Sequence, residues 1–330
     1  MKKLSKQRIR TVLCAVSVSQ IMKWGRKMSD LIKIPNVPTG MTDVILDTDA
    51  FNEIDDQFAI AYMLRSKEKL NVKGICAAPF YNSNSDSPKD GMEKSFNEIN
   101  KLLDLMNEAD RKKFVFKGSD GYLPDEKTPV KSDAAEYIAR LASEYCADRP
   151  LYIVSIGAIT NVASAILLKP EIIDKIVVVW LGGHSLEYHD TEEFNMMQDI
   201  AAARVVFECG VPLVQLPCMG VVDTFRISKY ELEFWFKGKN KISDYLAENT
   251  INTADIYACE KPWSRVIWDV TAVAWLLNDN EKFMRSRIIK KHMPNYDYKY
   301  DIESDNGFMR YVYSIKRDAL MEDLINKLNR

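Results

Sequence analysis

Several signatures that would assign this chain quickly are missing from it. Its six cysteines, Cys14, Cys76, Cys146, Cys209, Cys218 and Cys259, are scattered and form no Cys-x-x-Cys pair. That argues against a zinc site or a dithiol redox centre and for reduced, mostly buried thiols in a compartment such as the cytoplasm. There is no basic excess: 45 Lys and Arg stand against 47 Asp and Glu, a formal net charge of −2. No nucleic acid partner is expected, and a soluble protein acting on a small molecule suits this balance. Nor is any segment long and apolar enough to cross a membrane. What is present in quantity is core: 330 residues, 47 % of them hydrophobic, suffice for one large domain.

Residues 1–40 open with Lys2, Lys3, Lys6, Arg8 and Arg10 and turn briefly apolar over 12–18, in the manner of an export signal. Serines interrupt the apolar stretch, and Lys23, Trp24, Arg26 and Lys27 follow it with no convincing small-residue cleavage site. The segment reads as a basic extension outside the folded domain. Residues 41–330 then form a single domain, for no repeat or linker divides them.

From Asp43 onward, short β-branched runs at 44–46, 72–77, 114–116, 151–155, 176–180 and 211–216 alternate with helical periodicity at 55–66, 92–106, 132–146, 160–168 and 199–209. This order predicts an α/β domain with a mostly parallel sheet flanked by helices, whose ligands belong at the carboxyl ends of the strands. Beyond Thr224 the pattern gives helices at 229–237, 241–258 and 267–277, a polar tyrosine-rich stretch, a strand at 308–315 and a closing helix.

The densest chemical feature directly follows the first strand. Asp47-Thr-Asp-Ala-Phe-Asn-Glu-Ile-Asp-Asp56 packs four aspartates and a glutamate into ten residues before an apolar helix. Asp47 and Asp49 lie two apart and face one side of an extended chain, and Asp55 and Asp56 open the next helix and can turn back toward them. Repulsion on this scale demands a hard cation such as Ca2+ or Mg2+, or the positive end of the following helix. An EF-hand does not fit, because Phe51 occupies a ligand position, Asn52 replaces the turn glycine and Phe58 stands where the closing glutamate belongs. A Mg2+-dependent phosphatase of the haloacid dehalogenase type also begins Asp-x-Asp, but Ala50-Phe51-Asn52 lacks the Thr or Val it wants; it is kept as a minor alternative.

This opening, with Ile156-Gly-Ala-Ile-Thr-Asn-Val-Ala163, Gly182-Gly183, Glu193-Phe-Asn195, Asp199 and Trp268-Asp269 followed by Ala272-Val-Ala274, resembles the inosine-uridine-preferring nucleoside hydrolases. The similarity runs over about residues 43–277. It implies calcium-dependent hydrolysis of the N-glycosidic bond of a ribonucleoside or related N-ribosyl compound to ribose and free base. It also implies Ca2+ held by Asp49, Asp56, the Thr160 carbonyl and Asp269, with Asp47 just behind. Asp49 would activate water, Asp55 would accept from ribose hydroxyls, Glu193 and Asn195 would hold the rest of the sugar, and Asn82 would match a substrate-binding asparagine. Family members are commonly homodimers or homotetramers.

Three departures matter, and one of them bears on ribose recognition and substrate identity: the family's asparagine between Gly-Gly and Glu-Phe-Asn is not evident, since Leu186-Glu-Tyr188 occupies that region. The family's Pro-Gly after the second aspartate is replaced by the longer Ala50-Phe-Asn-Glu-Ile54. Trp268 stands where some members carry the histidine that protonates the leaving base, which makes it, with Tyr257, Phe80 and Tyr81, a candidate to stack on the base, the alternative for each being an ordinary core aromatic. His184 and His189 are the alternative proton donors, and His292 has no companions. The rival reading from another class is a catalytically weakened Ca2+ and ribosyl-binding protein of the same fold.

Overall fold

The structure, a computed structural model, describes residues 34–330. The apolar stretch at 12–18, Cys14 and most of the basic extension lie outside the described residues. Ile34 is buried, and Arg310 donates to the Pro35 carbonyl at 3.0 Å and to Asn36 Oδ1 at 2.6 Å.

Strands β1 (Thr42–Thr48), β2 (Leu70–Ala77), β3 (Val115–Lys117), β4 (Leu151–Ser155), β5 (Ile176–Leu181) and β6 (Leu213–Leu216) fall on the six predicted runs. Helices α1 (Asp56–Arg65), α2 (Pro88–Leu105), α3 (Asp133–Ala142), α4 (Thr160–Leu168), α5 (Phe194–Gln198) and α6 (Ile200–Glu208) fill the connections. Helix α2 starts four residues before its apolar periodicity does. Ser87 caps it, accepting from Asp90 N at 3.1 Å, and Pro88 occupies the first turn, where its missing N–H is not needed.

The remainder comprises β7 (Arg226–Ser228), α7 (Lys229–Trp235), α8 (Lys241–Ala258), β8 (Ser264–Val266), α9 (Val270–Leu276), β9 (Met284–Lys290), β10 (Met293–Pro294), β11 (Tyr300–Asp301), β12 (Phe308–Ile315) and α10 (Arg317–Leu328). The main sheet has eight strands in the order β3-β2-β1-β4-β5-β6-β12-β9, and only the edge strand β9 runs antiparallel to its neighbour. That strand replaces part of the expected irregular stretch. Met284-Arg-Ser-Arg-Ile-Ile-Lys290 hid it, because charged residues point outward along an exposed edge and protect it from pairing with other chains.

Strand β1 shows how the alternation builds two cores. Val44 and Leu46 face a layer made with α1, α2, α8, α9 and α10, whereas Ile45 faces the layer of α3, α4 and α6. Both layers are filled by large buried side chains such as Phe58 and Trp275 on one side and Trp180 and Phe207 on the other. Strand order reverses at β1, whose neighbours are β2 and β4. A crevice therefore opens at the carboxyl ends of β1 and β4, where open parallel sheets bind ligands. Among the described residues no helix is long and apolar enough to cross a membrane, and no disulfide forms.

Candidate active site

The carboxylates stand at this switch point. Asp47 pairs in register with Ser155, and the Ile156 N–H donates to the Asp47 carbonyl at 2.8 Å, which joins the ends of β1 and β4. The buried Asp47 carboxylate accepts from Asn161 Nδ2 at 2.8 Å and Ser155 Oγ at 3.1 Å. Burial outweighs those two bonds and pushes its pKa up to about 7.

Asp49 is the unusual member. It is 1 % exposed, and neither carboxylate oxygen has a hydrogen-bond partner. A buried carboxylate without partners costs several kcal/mol unless something compensates it. Burial first, and then the charge of Asp56, raises its pKa well above the ordinary carboxylate range. The backbone yields to it at Gly157, where a Cβ would lie 2.9 Å from Asp49 Oδ1 and 3.0 Å from its Cγ. Trp180 Nε1 fixes that glycine by donating to its carbonyl at 3.2 Å.

One carboxylate oxygen from each of Asp55, Asp56 and Asp269 lies within 4.8 Å of the others, all three side chains being buried. Helix α9 begins later than its apolar pattern suggested, and this leaves Trp268 and Asp269 in the turn before it, with Asp269 at the cap position. The Asp269 N–H donates to Asp55 Oδ2 at 3.3 Å, bridging 214 residues of sequence. Asp55 makes no side-chain cap bond to its own helix, so an acidic helix cap does not account for it. The Thr48 hydroxyl donates to Asp56. Burial raises the pKa of Asp56 to about 7 and, with the charges of neighbouring carboxylates, pushes Asp55 and Asp269 well up.

The donor set is oxygen-only, crowded, buried and partly unpartnered. It fits a hard divalent cation, which removes the repulsion and supplies the missing partner.

The longer loop after Asp49 is held without Pro-Gly. Its turn closes with Asn52 N donating to the Asp49 carbonyl at 2.7 Å, and Gln57 Nε2 donates to the carbonyls of Ala50 at 2.7 Å and Glu53 at 3.2 Å. Asn82 Nδ2 donates to Asn52 Oδ1 at 2.5 Å, which ties the loop after β2 to the same place. Gln57 was not singled out from the sequence; its signal was a polar residue inside an otherwise apolar helix.

A cavity of about 260 Å³ opens above the carboxylates, close to the lower end of the usual small-molecule range of about 300–1,000 Å³. Asp49, Asp55, Asp56 and Asp269 contribute to its buried part, and Asn82, His184, Phe194, Met219 and Trp268 line it as half-buried side chains. Glu193 and Asn195 line it as well. Glu193 caps α5, with one oxygen accepting from Gly183 N at 2.8 Å and Met196 N at 3.0 Å and the other from Asn195 N at 3.0 Å. Burial nevertheless raises its pKa. Asn195 Nδ2 donates to the carbonyls of Leu181 at 3.0 Å and Ile156 at 3.2 Å, so it fastens the ends of β5 and β4 together.

Thr160 is buried but does not line the cavity; its hydroxyl donates to Asp199 Oδ2 at 2.6 Å. Asp199 also caps α6 by accepting from Ala202 N at 2.9 Å. The two loop histidines part company. His184 lines the cavity, whereas the His189 side chain is 79 % exposed and pairs with Asp190 at 2.6 Å.

Comparison with known proteins agrees with this geometry. The family model described as inosine-uridine preferring nucleoside hydrolase matches residues 44–313. The pyrimidine-specific ribonucleoside hydrolase RihA of Escherichia coli O1:K1 is 28 % identical over 260 residues, covering 71 % of this chain and 79 % of its own length. In structure, a purine-preferring ribonucleoside hydrolase from Gardnerella vaginalis superposes with TM-score 0.68 at 20 % identity, covering 87 % of this chain and 98 % of its own. An inosine-guanosine nucleoside hydrolase superposes with TM-score 0.69 at 18 % identity and the same two coverages. The base preferences in these names differ from one another, so none of them transfers to this chain. The chain belongs to the inosine-uridine preferring nucleoside hydrolase family and is an N-glycosyl hydrolase.

Proposed function

We propose that the protein hydrolyses the N-glycosidic bond of a ribonucleoside or related N-ribosyl compound with one Ca2+, Asp49 accepting the proton of the attacking water. The observation that carries this reading is the buried Asp49 carboxylate without a hydrogen-bond partner, which lines one cavity with the gathered oxygens of Asp55, Asp56 and Asp269. Asp49, Asp56, Asp269 and the carbonyl of Thr160 would hold the ion. When bound, Ca2+ offsets the charge of these carboxylates and offers coordination to water and hydroxyl oxygens.

Asp55 is the acceptor for ribose hydroxyls. Asn82, Glu193 and Asn195 complete the sugar site, and the indole face of Trp268 takes the base. Asp49 is suited to proton abstraction because burial, and then the charge of Asp56, raises its basicity well above that of an ordinary carboxylate. As the C–N bond lengthens, positive charge grows on the sugar ring, and fixed carboxylates stabilise that transition state more than the ground state. Clamped hydroxyls supply orientation.

Residues 41–330 are assigned as the catalytic domain, working in the cytoplasm as a homodimer or homotetramer. The free thiols of the described residues support the compartment. The test is release of reducing sugar from a panel of nucleosides by the purified protein with calcium, with Asp49→Ala abolishing it. Ribose binding without turnover on any nucleoside would defeat the mechanism.

A further inference from the structure

His184 carries information that the sequence pattern did not. Its Nδ1 accepts a hydrogen bond from the Met219 N–H at 3.3 Å, and its own N–H donates to Thr191 Oγ1 at 3.2 Å. The Tyr300 hydroxyl donates to its carbonyl at 3.3 Å, and the Tyr188 ring lies 4.7 Å from the imidazole centroid. Backbone and ring are therefore fixed, with the side chain on the cavity wall next to Glu193, whose carboxylate holds Gly183 N.

An Nδ1 that accepts an N–H has no proton of its own, so the neutral ring carries its hydrogen on Nε2. Protonation would set an Nδ1–H against the Met219 N–H, donor facing donor. We propose that His184 is a neutral, tautomer-fixed hydrogen-bond donor to the substrate, its Nε2–H reaching an acceptor atom of the nucleoside outside the ribose diol. It is not the acid that protonates the leaving base.

This rests on the nucleoside hydrolase reading and deepens it by naming a specificity-determining residue. The surroundings agree with a neutral ring. Burial lowers the pKa of His184 and His189 lowers it further, against the opposing charges of Asp190 and Asp223. A neutral imidazole can hold an acceptor but has no easily released proton, so no proton transfer is assigned to it.

Two substrate groups have the required chemistry, the oxygen on the base and the 5′-oxygen of the sugar. Steady-state kinetics on the calcium-loaded full chain separate them, with inosine compared against purine riboside in one arm and against 5′-deoxyinosine in the other. His184→Phe should raise KM for inosine about tenfold with kcat little changed, the effect of one lost hydrogen bond on a desolvated acceptor. In one of the two arms it should also erase the discrimination the wild type shows. His184→Gln keeps an amide N–H near the Nε2 position and should restore KM to within about threefold.

A fall in kcat of a hundredfold or more in His184→Gln at unchanged KM would make His184 the leaving-group acid and overturn the proposal. So would an unchanged KM in His184→Phe with both discriminations intact. If the wild type releases no ribose from any nucleoside, it is the activity assignment that fails instead.

Discussion

Asp49→Asn should separate stability from activity, with opposite signs. In the wild type without metal, Asp49 is a buried carboxylate with no hydrogen-bond partner, facing Asp56, Asp55 and Asp47. The asparagine is nearly isosteric, carries no charge and gives those neighbours an N–H donor. A hydrogen bond to a charged group contributes about 1.5–3 kcal/mol. Unfolding entropy of about 2.1 cal/mol/K per residue amounts to roughly 0.7 kcal/mol/K for a chain of this length. The metal-free variant should therefore melt about 2–4 °C above the metal-free wild type. Calcium at 100 times Kd should add about 2.7 kcal/mol, or about 4 °C, to the wild type and much less to the variant.

Activity should fall about 10²–10⁴-fold in the same protein. The pH dependence carries a sign as well. Asp47 and Asp56 have folded pKa values raised from 3.8 to about 7, so the native state holds protons that the unfolded chain has released. Their contribution is complete below about 3.8 and is lost as pH rises toward 7. Metal-free wild type should therefore lose stability across that window, and the variant should lose less. Calorimetry with and without chelator, at pH 5 and pH 7, reads all of this. A metal-free Asp49→Asn protein that melts below the metal-free wild type at pH 7 would refute the claim that this carboxylate is uncompensated.

Gly157→Ala would set a Cβ 2.9 Å from Asp49 Oδ1, short of ordinary contact; kcat should drop about tenfold, a displacement near 1 Å being enough for about 10²-fold, while the melting temperature moves by only a few degrees. An unaltered kcat would show that Asp49 has room to move. Asn161→Leu removes the donor to Asp47 and the acceptor for Ser119 N at 2.8 Å and Ser119 Oγ at 2.9 Å, leaving buried groups unsatisfied. Urea unfolding should report a loss of about 2–4 kcal/mol, and a change below 0.5 kcal/mol would remove that network from the account of the site. Trp268→Ala should raise KM for nucleosides about three- to tenfold, the worth of an aromatic stack at about 0.5–1.5 kcal/mol. Equal KM values in the two proteins would place the base elsewhere.

Local sequence already determined much of this protein. Six parallel strands, the helices between them and the acidic turn after β1 were legible because apolar periodicity and a run of like charges are properties of neighbouring residues. Edge strand β9 was not, since its charged outward face looks like a loop until a partner strand is in place. The meeting of Asp56 with Asp269 follows only from the family resemblance, and the contact of Asp55 with Asp269 across 214 residues only from the structure, for no local spacing encodes a long-range contact. Tertiary packing alone decided that Gly157 lets Asp49 approach β4, that Gln57 holds the lengthened loop, and that His184 rather than His189 faces the cavity. In each case the deciding quantity is a distance between segments far apart in the chain. Such distances are set by the order of strands in the sheet, which the pattern within each strand does not contain.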